Sequence, residues 1–380
     1  MVQATFEFSP LAAASATVTP AAARYKHRPA HPAGADALDS VGFEIGWDHA
    51  HHRVTPPLGH LHQPNPVHQG WLAGRAAFGA RSLAATAAVR QWLALRLLAW
   101  QQGQAFEGVQ VNPSFLARID AVDCPVGRQL MTLCADLPSD ATVTRLNTSA
   151  AYAAGNLVVL SRRVAAADYA PADAATGLSA DEQARLAVLR SFATPLAHAQ
   201  AALLPLRVLP PNRVRVINPV QALQVMLTLQ FLQAGYARRL LGLAVLMPSS
   251  ETRQAFQIFM HTLLARRLSA GQGATPADMR RAMEDSWADV LVNRRWQRLA
   301  TRLTAADCEL LLQRASQRGL VVGGSRWVSP ECATEGWALK AGAAGAARQA
   351  LPQPEAQASA GSGVTRPGMA RSLGSQKLAS

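Results

Sequence analysis

Two groupings of side chains have residue types and spacing suited to chemistry. Eight of the ten histidines lie between residues 27 and 68: His27, His31, His49, His51, His52, His60, His62 and His68. His49, His51 and His52, with Asp48 and the His60-Leu61-His62 pair, offer imidazole nitrogens of the kind that bind a transition metal. No spacing here matches H-E-x-x-H, and Pro56, Pro57, Pro64 and Pro66 predict an extended loop over 53–69 rather than a rigid frame. The residues therefore read first as structural or solvent-exposed histidines, with a metal site as the alternative. The second grouping is Arg294, Arg298 and Arg302, at i, i+4 and i+8 of a predicted helix and flanked by Arg295 and Trp296. Such a row suits phosphate contacts; the plainer reading is a solvated face paired in part with Asp289. No G-x-S-x-G, P-loop, G-x-G-x-x-G or kinase pattern occurs.

Residues 141–168 carry a third pattern. Thr142, Val143 and Thr144 favour a strand, Asn147 to Ser149 a turn, and Gly155-Asn156 a tight backbone. Leu157 to Leu160 form an apolar run fit for a buried strand, and Arg162 to Asp168 a following helix. The sum is a small ββα unit. The run Thr144-Arg145-Leu146-Asn147, Ala151-Tyr152, Gly155-Asn156-Leu157 and Val158-Val159-Leu160-Ser161 resembles the core of HNH nucleases. Upstream, Cys124-Pro125-Val126-Gly127-Arg128 is similar to the knuckle that often precedes such cores, so the resemblance spans about residues 104–168.

The catalytic groups that this family uses are missing. Cleavage needs a general base, usually His, and a divalent cation. Thr144 stands at the position of the family's Asp or His, and Ala165 at a helix position that often carries a ligand. No His occurs between His68 and His198, and Cys124 and Cys134 form no CxxC pair, so a zinc knuckle is not expected. Asn156 remains, either orienting a loop through hydrogen bonds or serving as a turn residue. The family's helix lies near DNA, so the resemblance implies nucleic-acid contacts by Arg145, Arg162 and Arg163, with Asn156 beside them. It implies no catalytic residue and no metal ligand, and the sequence does not identify a cofactor.

These groups need elements to position them. The chain has 380 residues, 49% of them apolar, enough for a sizeable core. The expected fold is mainly α with a small α+β insert: an HNH-like ββα module joined to an antiparallel helical C-terminal domain. Residues 1–40 and 341–380, rich in Ala, Pro, Gly, Ser and Gln, are expected to lack fixed structure. Residues 41–103 read as an N-terminal module, in which Val41–Trp47 is a short strand or a helix start and Ser82–Gln102 a helix. Residues 104–172 are the ββα module and 178–340 the helical domain, with helices over 219–234, 250–269, 276–302 and 305–318. Ser179-x-x-Glu182 is a capping box; Asn218-Pro219 and Thr275-Pro276 are helix starts, and Ser250 and Thr304 candidate caps. Trp327 and Trp337 are expected to fold back on the helices.

Of the 37 basic residues only Lys26, Lys340 and Lys377 are lysine, and the net charge is +13. The Ala and Arg bias fits a GC-rich bacterial genome. The charge nevertheless favours encounter with polyanions such as DNA or RNA. Gln and Arg interrupt the apolar stretch Val220–Met247, against a membrane span. Four unpatterned cysteines and the absence of a basic, apolar leader point to the cytoplasm. Three readings follow: a nucleic-acid-associated protein with an inactive HNH-like module, a metal-dependent hydrolase or nuclease using the N-terminal histidines, and a helical protein-interaction scaffold.

Overall fold

The structure, a computed structural model, describes residues 37–133, 135–168, 177–271, 273–321 and 328–339. In chain order the helices before the sheet are α1 (Ala37–His51), α2 (Pro66–Phe78), α3 (Ala87–Gln101) and α4 (Pro113–Ile119). Strands β1 (Ala141–Arg145) and β2 (Leu157–Ser161) run straight into α5 (Arg162–Asp168). Then come α6 (Ala180–Phe192), α7 (His198–Leu203), α8 (Pro219–Gln230), α9 (Tyr236–Ala244), α10 (Ser250–Ser269), α11 (Pro276–Asp285), α12 (Val290–Ala300), α13 (Ala305–Gln317) and α14 (Pro330–Ala333). The fold is thus mainly helical with one small antiparallel sheet. The calls on residues 1–36 and 340–380, and on Cys134 and Trp327, lie outside the described residues.

α1 and α2 pack with almost no side chain between them. A Cβ on Gly46 would lie 1.9 Å from the Val67 carbonyl oxygen, and one on Gly70 would lie 1.9 Å from that of Phe43. Only a residue without Cβ permits this approach. A small core of Ile45, Val67 and Leu97, with Trp100 against it, joins these two helices to α3. Val41–Trp47 is therefore helical. The proline loop gives way to α2, whose N-cap Asn65 accepts from the Val67 amide at 2.9 Å ahead of Pro66. α3 starts later than expected: Thr86 caps it, and Leu83 lies outside the helix and is exposed.

The main core runs from Leu95 to Trp337, and the strands, α6 and the later helices contribute to one cluster. At its centre α8 is buried on every side, from Val220 through Gln230. Its polar side chains bond inward: Gln221 donates to Ser191 Oγ at 2.7 Å and Gln224 to the Leu204 carbonyl at 3.1 Å. Phe259, Trp287 and Trp296 form an aromatic cluster, and the Trp296 indole donates to the Ala202 carbonyl at 3.0 Å.

The helix expected over 276–302 is two helices, divided by a 3-10 turn at Ser286–Ala288. Asp289 restarts the chain by accepting from the Leu291 and Val292 amides. Ser249, rather than Ser250, caps α10, whereas Ser179, Thr275 and Thr304 cap as expected. Asn218 precedes α8, but its amide makes no cap; it links Leu196, Ser191, Thr194 and Gln221 instead.

Candidate nucleic-acid interface

β1 pairs with β2 in antiparallel register, from Ala141 opposite Ser161 to Arg145 opposite Leu157. The loop between them is held by Asn156, which is fully buried. Its Oδ1 accepts from the Asn147 amide at 2.8 Å, while its Nδ2 donates to the Asn147 and Ala151 carbonyls at 3.0 and 2.9 Å. Trp337 closes the loop from outside. Its carbonyl accepts from the Ala151 amide at 2.7 Å, and its indole donates to the Ala154 carbonyl at 3.0 Å. Trp337 thus folds back on the ββα loop.

Arg145 is 5% exposed. Its guanidinium donates to Gln104 Oε1 at 3.0 Å and the Ala150 carbonyl at 2.8 Å, and lies 4.5 Å from the Tyr152 ring centroid. Arg145 and Asn156, both expected at a nucleic-acid surface, are therefore buried groups that shape the loop. Thr144 and Ala165 are buried as well.

Arg162 and Arg163 lie at the surface but are engaged by carboxylates. Arg162 pairs with Asp136 and with Asp140, the latter at 3.3 Å. Asp140 is itself buried, and the Thr132 hydroxyl, aided by the Ala135 and Leu137 amides, holds its carboxyl below the usual range. Arg163 pairs with Glu182, the N3 residue of the α6 capping box, and lowers the Glu182 pKa to about 2.

The Cys124–Arg128 segment ties β2 to α11. Cys124 is buried, and its sulfur accepts from the Gly127 and Ser161 amides at 3.5 Å. Arg128, in the left-handed region at φ 55°, bonds Asp285 at 2.7 Å and Glu284 at 3.3 Å. Glu284 is buried, also accepts from the Leu209 amide and from Arg280, and burial pushes its carboxyl pKa up. No pattern in the sequence marks Glu284 as the partner of Arg128, because the two are joined only by tertiary folding.

Three of the described histidines illustrate separate placements. His49 is buried with Nδ1 2.8 Å from the Ile45 carbonyl, and burial lowers its pKa. The His51 ring packs on Phe78 at 4.5 Å, and His60 sits against Gln101. Among the described residues no group of three His, Cys, Asp or Glu side chains is arranged to hold a metal ion. His27 and His31 lie outside them.

α12 presents a different surface. Val292, Trp296 and Leu299 are buried, while Arg294, Arg298 and Arg302 are exposed on the other side. Arg302 lies just past the helix end and donates to the Arg298 carbonyl at 2.5 Å. Asp289 caps α12 and pairs with Arg266, so it leaves the row alone. Among the described residues no carboxylate pairs with Arg294, Arg298 or Arg302. Among the described residues no helix is long and apolar enough to cross a membrane. In comparisons with known proteins the chain matches no family model, no curated protein and no solved structure.

Proposed function

We propose that the protein binds nucleic acid through the arginine row along and just past α12 and that its HNH-like ββα unit does not cut. The observation that carries this reading is the exposure of Arg294, Arg298 and Arg302 on one face with no carboxylate partner among the described residues. Arg145 is buried and Arg162 and Arg163 are engaged, so the working surface moves from the ββα unit to α12. Phosphate contacts of this kind act mainly through charge and release condensed counterions. Thr144 and Ala165 supply neither a general base nor a strong cation ligand, which supports binding without hydrolysis.

The test is fluorescence anisotropy with single- and double-stranded DNA across a salt series, comparing the protein with an Arg294→Ala/Arg298→Ala/Arg302→Ala variant. Binding should weaken steeply with salt, and the variant should lower the log–log slope by about 2 to 3 for duplex DNA. Binding that is absent, insensitive to salt or unchanged in the variant would overturn the reading. DNA cleavage in the same samples would overturn its non-cutting half.

A further inference from the structure

A cavity of about 210 Å³ opens beside the ββα loop, lined among others by Gln110, Phe115, Arg118, Gly155, Arg213 and Arg215. Three arginines, from α4 and from the segment before α8, thus converge on one small space with no carboxylate in its lining. Arg215 is the most enclosed. Its guanidinium donates to the Ala333 carbonyl at 2.8 Å and to Gln110 Oε1 at 2.9 Å, both neutral acceptors. Burial lowers its pKa, and Glu335 and Glu107 offset this only through space, so the guanidinium charge has no ion-pair partner among the described residues. A half-buried charge held by neutral acceptors favours an anion that can reach it.

The ββα loop is built around this arginine. The Gly155 carbonyl accepts from the Arg215 amide at 3.0 Å. Gly155 has φ +90°, and a Cβ there would lie 2.4 Å from Arg215 Cδ. The loop thus fixes the direction from which the guanidinium enters. A space of this size exceeds the roughly 30 Å³ share of one water several-fold, and suits a tetrahedral oxyanion with a small substituent.

We propose that this cavity is a binding site for a phosphate group, held by the guanidiniums of Arg118 and Arg215. This site is separate from the α12 row and stands without it. Free phosphate and the 5′-phosphate end of a nucleic-acid strand share the required chemistry.

The test is isothermal titration of the full chain, at physiological chloride, with inorganic phosphate and with a thymidine dinucleotide bearing either a 5′-phosphate or a 5′-hydroxyl. Saturable binding at one site per chain is expected, weakened about tenfold or more in Arg118→Gln and in Arg215→Gln. Arg118 is exposed, so Arg118→Gln decides the matter if Arg215→Gln fails to fold. Tighter binding of the 5′-phosphorylated dinucleotide than of phosphate identifies a strand end; binding of phosphate alone identifies the free ion. No saturable binding in any arm, or equal binding by Arg118→Gln, would overturn the site. The α12 triple variant should keep its phosphate binding, so the two readings fail separately.

Discussion

Replacing Asn156 by Ala tests whether the ββα loop is held by one side chain. The substitution removes an acceptor from the buried Asn147 amide and a donor from the buried Ala151 carbonyl, and neither has another partner among the described residues. The Asn147 carbonyl keeps a bond from the Ala150 amide at 3.2 Å and is not orphaned. Each stranded buried group costs about 1–3 kcal/mol, so the loss is about 2–6 kcal/mol, a large share of the 5–15 kcal/mol typical of a folded domain. Asn156→Asp sharpens the test. Its carboxylate still serves the Asn147 amide but faces two carbonyl oxygens, so at neutral pH it should be at least as destabilising, with part of the loss recovered when acid restores one donor. Urea unfolding of the three proteins at neutral pH, followed by circular dichroism, reads these differences as midpoint shifts at constant slope. A loss below about 1 kcal/mol for Asn156→Ala, or a neutral Asn156→Asp, would refute the argument that this amide organises the loop.

Two further expectations come from titratable groups. Arg163 holds the Glu182 carboxyl at about 2, below its ordinary 4.5; a depressed folded-state pKa means stability that is present above pH 4.5 and lost as pH falls toward 2. The stability gap between the protein and Glu182→Gln should therefore shrink across that window in a series of denaturation midpoints, and a gap that stays constant would argue against the pairing. Burial, with Asp307 and Glu309 nearby, pushes the Cys308 thiol up to about 12, whereas Cys332 is exposed. Native protein treated with iodoacetamide near neutral pH should be alkylated at Cys332 and spared at Cys308 by peptide mapping; comparable labelling of both would contradict the packing around α13.

Local chemistry was readable wherever a short-range signal acted alone. Ser179 with Glu182, Thr275 ahead of Pro276, and Thr304 all start helices as their side chains direct. The strand pair and the helix after it follow from β-favouring residues around a Gly-Asn turn. Asn65-Pro66 and Asn112-Pro113 carry the same start signal as Asn218-Pro219 and do cap α2 and α4, whereas Asn218 spends its amide on distant carbonyls. The candidate site was less legible, because availability is a tertiary property. Arg145 and Arg294 are the same residue type on regular elements, yet only folding decides that one meets Tyr152 and Gln104 while the other meets solvent. The pairing of Arg163 with Glu182 spans 19 residues and that of Arg128 with Glu284 spans 156. No periodicity reports contacts of that kind. The convergence of Arg118, Arg213 and Arg215 likewise depends on bringing two separate segments to one loop.

The close seating of α1 on α2 bears on how kin of this chain can be traced. Gly42 and Gly46 repeat at a spacing of four, as do Gly70 and Gly74. At Gly46 and Gly70 the obstacle to any side chain is main-chain carbonyl, which no change of neighbouring residue can remove. A descendant that drifts everywhere else must keep those two positions bare or let the helix pair spread apart. Two glycine pairs 24 residues apart at their closest, each on a helix, thus form a fingerprint that can survive after overall similarity has faded.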